Sequence, residues 1–224
     1  MKTIKLAVLA VLFITYSCAD KKKEGETTPE TKAVAENVET TNNEVASGYQ
    51  VGDIVKDFSL KNVDGKMVSM ADYKDAKGFI ITFTCNTCPY SIAYEDRIIA
   101  LDKKYASQGF PVIAINPNNP EAKPGDSFEA MQTRAKEKGF TFPYIFDDGQ
   151  KVYPQFGASR TPHMYVIAKT DKGHQVKYIG AIDDNYKEAD AVTKRYVEDA
   201  VDALLAGKEV EVTETKAIGC SIKV

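Results

Sequence analysis

The chain is poor in metal-binding and redox side chains: 224 residues hold two histidines, His163 and His174, and four cysteines, Cys18, Cys85, Cys88 and Cys220. The histidines stand eleven apart, and no second Cys/His pair repeats the spacing of Cys85 and Cys88. That argues against a four-ligand zinc site, which presents its ligands as two such pairs. No basic stripe is present and the formal net charge is −3, so nucleic acid is not an expected partner. No cofactor-binding fingerprint occurs; no cofactor or metal is expected, and electrons must come from another protein or a small thiol. There is no internal repeat, and no apolar run reaches the roughly 20 residues that span a membrane. Aromatic residues are missing from 19–47.

What is present divides the chain into three. Residues 1–18 open with Lys2 and Lys5 and run apolar from Leu6 to Ile14, the layout of a secretory signal. Thr15-Tyr16-Ser17-Cys18 resembles a bacterial lipobox, which implies cleavage before Cys18, a lipid on that residue and a membrane-anchored place in the bacterial cell envelope. Residues 19–48, rich in Thr, Glu, Lys and Asn, hold too little apolar surface to offset the entropy of ordering, so a flexible tether is expected. Residues 49–224 suit one domain with a sizeable core. With Cys18 lipidated, three thiols remain, and one is left over when two pair.

Within 49–224, two alternating stretches flank Asp64-Gly65 and predict a hairpin over 53–70. Phe79–Phe83 is an apolar β-branched run that reads as a buried central strand. Tyr94, Ile98, Leu101 and Tyr105 recur at helical spacing. A strand over 110–115, a loop over 116–126, a helix over 127–138, a short strand in FPYIF and a short helix within 150–156 follow. Strands Met164–Ala168 and Val176–Ala181 precede a last helix marked by Val192, Tyr196, Ala200 and Leu204. Strand–helix–strand order implies parallel pairing by right-handed crossover. The expected fold is α/β: a mixed central sheet with helices on both faces and an N-terminal β-hairpin.

In ITFTCNTCPY (81–90), Cys85 and Cys88 fall between that central strand and the following helix. Two intervening residues let both sulfurs meet within one turn, and a helix N-terminus stabilises a thiolate. A redox couple is expected, with Cys85 as the attacking thiol and Cys88 resolving; a zinc site or an inert disulfide are the alternatives to it. Proline in Ser159-Arg160-Thr161-Pro162-His163 stands directly before a strand.

Together these motifs resemble the thioredoxin superfamily, its C-x-x-C and cis-proline loops. The resemblance implies a cis Thr161–Pro162 bond beside Cys85, with the Thr161 backbone free to pair with an extended partner peptide. Residues 49–224, including IGAIDD and AIGCSIK, resemble the redoxin branch of alkyl hydroperoxide reductase/thiol-specific antioxidant type, in a peroxiredoxin-like subgroup with C-N-x-C-P-Y. Two activities follow. One is an envelope thiol–disulfide oxidoreductase, in which Cys85 and Cys88 exchange disulfides with protein thiols or a membrane electron donor and Thr161 and Pro162 shape the groove. The other is a thiol peroxidase, in which Thr82 of Thr82-x-x-Cys85 positions peroxide. Against the peroxidase, Gly78 stands where that family has proline, and Pro162 where it has an activating arginine, with Arg160 two residues away. A copper-delivery protein with Cys85, Cys88 and His163 as ligands is a third reading. Cys220 is a candidate resolving or relay thiol, or a small buried apolar group. Asp183 and Asp184 are expected to cap the last helix, and Tyr90 to cover the cysteine pair.

Overall fold

The computed structural model describes residues 48–224. The signal-like segment 1–18 with Cys18, and residues 19–47 of the expected tether, lie outside the described residues. The chain first forms the hairpin expected around Asp64-Gly65. Strands β1 (Ser59–Asn62) and β2 (Met67–Ser69) pair antiparallel, and Gly65, at φ 88°, supplies the left-handed turn residue. Next come β3 (Gly78–Phe83), α1 (Pro89–Tyr105), β4 (Val112–Asn116), α2 (Phe128–Lys138), β5 (Tyr144–Phe146) and α3 (Tyr153–Phe156). The chain continues with β6 (Arg160–Thr161), β7 (His163–Thr170), β8 (Gly173–Gly180), α4 (Tyr196–Leu205) and β9 (Cys220–Ser221).

One seven-stranded sheet runs in the order β2-β1-β5-β4-β3-β7-β8, while β6 and β9 form a separate two-stranded sheet. Strands β3, β4 and β5 are parallel, as their intervening helices require, and β7 returns antiparallel to β3. This is the thioredoxin-like mixed sheet that the sequence implies.

Every residue of β3 is buried, and its side chains divide between two cores by the period of two along a strand. Ile80 joins Val112, Ala114, Met164 and Val166 beneath α1, α2 and α4. Phe79, Ile81 and Phe83 join Ile113, Ile115, Tyr165 and Ile167 on the opposite face, where Phe156 of α3, Met70, Val55 and Phe58 cover them. Helices therefore lie on both faces, with the three longer ones on one. Each fully buried Ile or Phe contributes about 1.5–3 kcal/mol. Arg134 of α2 grips the buried Glu95 of α1 with two hydrogen bonds of 2.7 Å, fixing α1 from the side. Among the described residues no helix is long and apolar enough to cross a membrane.

Some boundaries shift. Strand β4 begins at Val112 because Pro111 has no N–H to donate. Helix α4 begins at Tyr196 with Arg195 as its cap, so Val192 precedes it. Asp183 and Asp184 do not cap it: Asp183 accepts from Tyr94 (2.8 Å) and Arg97 (2.7 Å) of α1, and Asp184 accepts from Thr193. The pairing of β6 with β9 is an element that no local pattern announced.

Candidate active site

Strand β3 delivers the chain into a turn, and Pro89 at the first helical position makes Cys88 the N-cap of α1, with φ −78° and ψ 123°. The turn residues between the cysteines are held from beneath by Asp126, whose side chain is wholly buried. Its carboxylate accepts the N–H of Asn86 (2.8 Å) and of Thr87 (3.1 Å), the Thr87 hydroxyl (2.8 Å) and the Asn118 amide (2.7 Å). From the side, the Tyr144 hydroxyl donates to Asn86 Oδ1 at 2.9 Å. Four donors converging on one carboxylate fix the path of the turn and therefore the separation of the two sulfurs.

Thr161 is the meeting point. Its bond to Pro162 is cis, as the resemblance implied. The Cys85 sulfur lies 3.3 Å from Thr161 Oγ1, and the Cys88 thiol donates to the Thr161 carbonyl at 3.0 Å. Thr161 also pairs with Cys220 in the β6–β9 ladder, and Arg160 with Ser221. The Thr161 backbone is thus not free to receive a partner strand; the chain's own C-terminal segment occupies that edge. Gly219 makes this approach possible, since a Cβ there would stand 2.1 Å from the Thr161 carbonyl oxygen. The tail is secured by Arg160 on the Gly219 carbonyl (3.1 Å), by the Lys223 N–H on Asn118 (2.8 Å) and by the Asn119 N–H on the Lys223 carbonyl (2.9 Å).

The electrostatics separate the two thiols of the pair. Cys88 is lowered to about 4, first by the hydrogen bond it receives from Cys85, and further by the Cys220 thiol and by the N–H groups of Ser91 and Cys220; burial opposes them. As a thiolate it faces one unfavourable neighbour, the Thr161 carbonyl, against these donors and the positive end of α1, and the donors prevail. Cys85 is held well above the ordinary thiol range, first by donating to Cys88, then by burial and by the charge of Asp126. The hydrogen bond between them thus favours the thiolate on Cys88, the N-cap of α1, and keeps the proton on Cys85. Cys220 is pushed up to about 11, first by burial and then by its hydrogen bond to Cys88 and the charge there.

Both members of the pair are closed off from solvent, Cys85 at 3% and Cys88 at 2% exposure, while Cys220 is half-buried. A cavity of about 10 Å³ beside Cys85, walled by Glu95, Ile98, Phe142 and Tyr144, has room for about one water.

The remaining candidates are placed as follows. The Thr82 hydroxyl is buried on β3 with no hydrogen-bond partner among the described residues, so Thr161, not Thr82, supplies the hydroxyl at Cys85. The Arg160 guanidinium binds the tail carbonyl described above. His163 packs against Tyr165 at 5.0 Å between ring centres, accepts from the Ser159 N–H, and is lowered to about 4 by burial. Among the described residues no three His, Cys, Asp or Glu side chains are grouped to hold a metal ion. Tyr90 stacks on Tyr186, 4.5 Å between ring centres. Asp126, Asn118 and Gly219 escaped the sequence reading: each acts on residues far away in the chain and carries no local pattern.

Comparison with known proteins agrees with this geometry. Thiol-disulfide oxidoreductase ResA of Halalkalibacterium halodurans is 25% identical over 118 residues, 53% of this chain and 62% of the relative, so the chain spans about three-fifths of that protein's length. A Mycobacterium tuberculosis protein named as a peroxiredoxin is 26% identical over 126 residues, 54% of this chain and 71% of its own. The crystal structure of a hypothetical protein from Sinorhizobium meliloti superposes with a TM-score of 0.72 at 32% identity, covering 79% of this chain and 95% of that one. The AhpC/TSA family model matches residues 51–179, more than half of the sequence, and the chain belongs to that family.

Proposed function

We propose that this protein is a thiol–disulfide oxidoreductase of the bacterial cell envelope, working through the Cys85–Cys88 dithiol/disulfide couple. One observation carries the reading: two buried sulfurs at a helix start converge on Thr161 beside a cis proline, and their environments drive their proton affinities apart. The Cys88 thiolate attacks one sulfur of an incoming disulfide; a mixed disulfide forms and the other sulfur leaves as a thiolate. Cys85 then gives up its proton and attacks the Cys88 sulfur, the reduced partner departs, and the Cys85–Cys88 bond closes. The reverse sequence oxidises a partner, and relative potentials set the direction. Protein thiols and disulfides are the substrates, and a membrane electron donor returns the couple to its starting state. The envelope location, with a lipid on Cys18, is supported by the charged start, the apolar run and the small residue before Cys18.

A thiol peroxidase is the second reading, favoured by the Cys88 thiolate and by the family. In it Cys88 takes an oxygen from peroxide to become a sulfenic acid, water or alcohol leaves, and Cys85 condenses with the sulfenic acid. The position of Arg160 on the Gly219 carbonyl and the unpartnered Thr82 hydroxyl weigh against it, because neither reaches the thiols to stabilise charge on peroxide oxygen. Thiol trapping with mass spectrometry on the full-length chain, poised across thiol/disulfide buffers and separately given one equivalent of peroxide, separates the two. A Cys85–Cys88 bond that follows buffer potential without fast peroxide loss supports the oxidoreductase. Rapid stoichiometric peroxide consumption overturns it.

A further inference from the structure

The oxidoreductase reading leaves a difficulty of access. Both sulfurs of the couple are buried, and the edge beside the cis proline, where an extended partner would pair, is filled by residues 219–223 of the same chain. The occupant is not arbitrary. The residue set in register with Thr161 is a cysteine, and the Cys88 sulfur donates to the carbonyl of that same Thr161 at 3.0 Å, so both thiols flank one residue. Cys88 thus stands between Cys85 and Cys220, and of the three only Cys220 is part-exposed. The tail is anchored on both sides of Cys220, by Gly219 on Arg160 and by Lys223 on Asn118 and Asn119.

We propose that Cys220 is a third catalytic thiol, a docked relay through which the buried couple exchanges disulfides with partners. This deepens the proposed function and rests on it. In the reducing direction the Cys220 thiolate attacks the partner disulfide, forming a Cys220–partner bond and releasing one partner thiolate. The Cys88 thiolate attacks the Cys220 sulfur, so a Cys88–Cys220 disulfide forms and the second partner thiolate leaves. Cys85 loses its proton and attacks the Cys88 sulfur, closing Cys85–Cys88 and returning Cys220 as a thiolate. The partner gains two electrons from the couple; of the two protons its thiolates take up, Cys85 supplies one and solvent the other, because Cys88 begins as a thiolate; Cys220 ends as it began. The environment fits this cycle. It does so in the reverse direction, where the cycle starts from the Cys85–Cys88 disulfide: the charge on Cys88 then no longer opposes ionisation of Cys220, while the positive charges of Lys223 and Arg160 still favour it.

The test uses the full-length chain. A Cys85→Ser variant is oxidised with glutathione disulfide, alkylated, and digested without reductant. The expected dominant species is a Cys88–Cys220 linked peptide. Glutathione on Cys88 beside an alkylated Cys220 overturns the relay and leaves the couple intact; a wild-type chain that forms no Cys85–Cys88 bond at any buffer potential removes the reading beneath it. In Cys220→Ser, approach of the couple to equilibrium with glutathione slows at least about tenfold, because the buried sulfurs lose their accessible entry. An unchanged or faster approach contradicts the relay.

Discussion

The turn that carries Cys85 and Cys88 and the tail that carries Cys220 meet on Thr161, yet they are held there by different forces. The turn is continuous with a wholly buried strand and a helix packed in the main core, and a buried carboxylate grips it from beneath. The tail is held by a short ladder along one edge, a few hydrogen bonds and the half-buried Ile222. Segments with few buried apolar contacts open at lower free energy than core strands. The proposed redox couple is thus housed in the packed core, and its proposed connection to the outside on a segment that opens at lower cost.

That contrast can be broken from either side. The largest effect belongs to Cys88→Ser, which removes the sulfur that links Cys85 to Cys220: uptake stops at a mixed disulfide on Cys220 and no internal disulfide forms. Cys85→Ser still accepts one disulfide and stops there. Equal behaviour of the two variants in a mixed-disulfide assay contradicts their different roles. Next, Asp126→Asn turns one acceptor oxygen into a donor facing Thr87 and Asn118, which costs about 1–3 kcal/mol in urea unfolding. It also removes the charge that opposes ionisation of Cys85, so that thiol becomes easier to deprotonate. Gly219→Val drives a side chain into the Thr161 carbonyl and dislodges the tail, and alkylation of Cys88 at neutral pH rises at least about tenfold while the core stays folded. Unchanged alkylation shows that the tail does not govern access.

Stability against pH gives a further test. Cys88 has its folded value lowered to about 4 from an unfolded value near 8.5. Its contribution to the reduced protein is complete above about pH 8.5 and is lost as pH falls through about 4. His163, lowered to about 4 from about 6.5, adds a loss of the same sign between those values, because the unfolded chain binds its proton first. Above about pH 8.5 the raised Cys85 reverses the slope, since the fold retains a proton that the unfolded chain releases. Urea titrations of the reduced protein should therefore rise from pH 5 to 8.5, and Cys88→Ser should flatten the arm between 6.5 and 8.5.

The central strand, the helix after it and the hairpin were legible because their periodicity is local. Phe79–Phe83 is apolar throughout because both its faces are buried, and Tyr94, Ile98, Leu101 and Tyr105 mark the stripe that packs on the sheet. The roles within the cysteine pair were half legible. Pro89 announced where α1 begins, and a cap at Cys88 follows from it, while the neighbours that separate the two thiols, Thr161 and Cys220, come from distant parts of the chain. Asp126 lay in a stretch that reads only as loop, and its partners Asn86 and Thr87 are about forty positions back in the chain. Cys220 was visible as an odd thiol, but a two-residue ladder to Thr161 across 59 positions leaves no periodic trace.

The most direct test is the pH dependence of iodoacetamide modification in the reduced full-length chain, with each thiol identified by mass spectrometry. The account predicts that Cys88 reacts with a midpoint near 4, while Cys85 stays unreactive through neutral pH. A low midpoint on Cys85, with Cys88 titrating as an ordinary thiol, would contradict it.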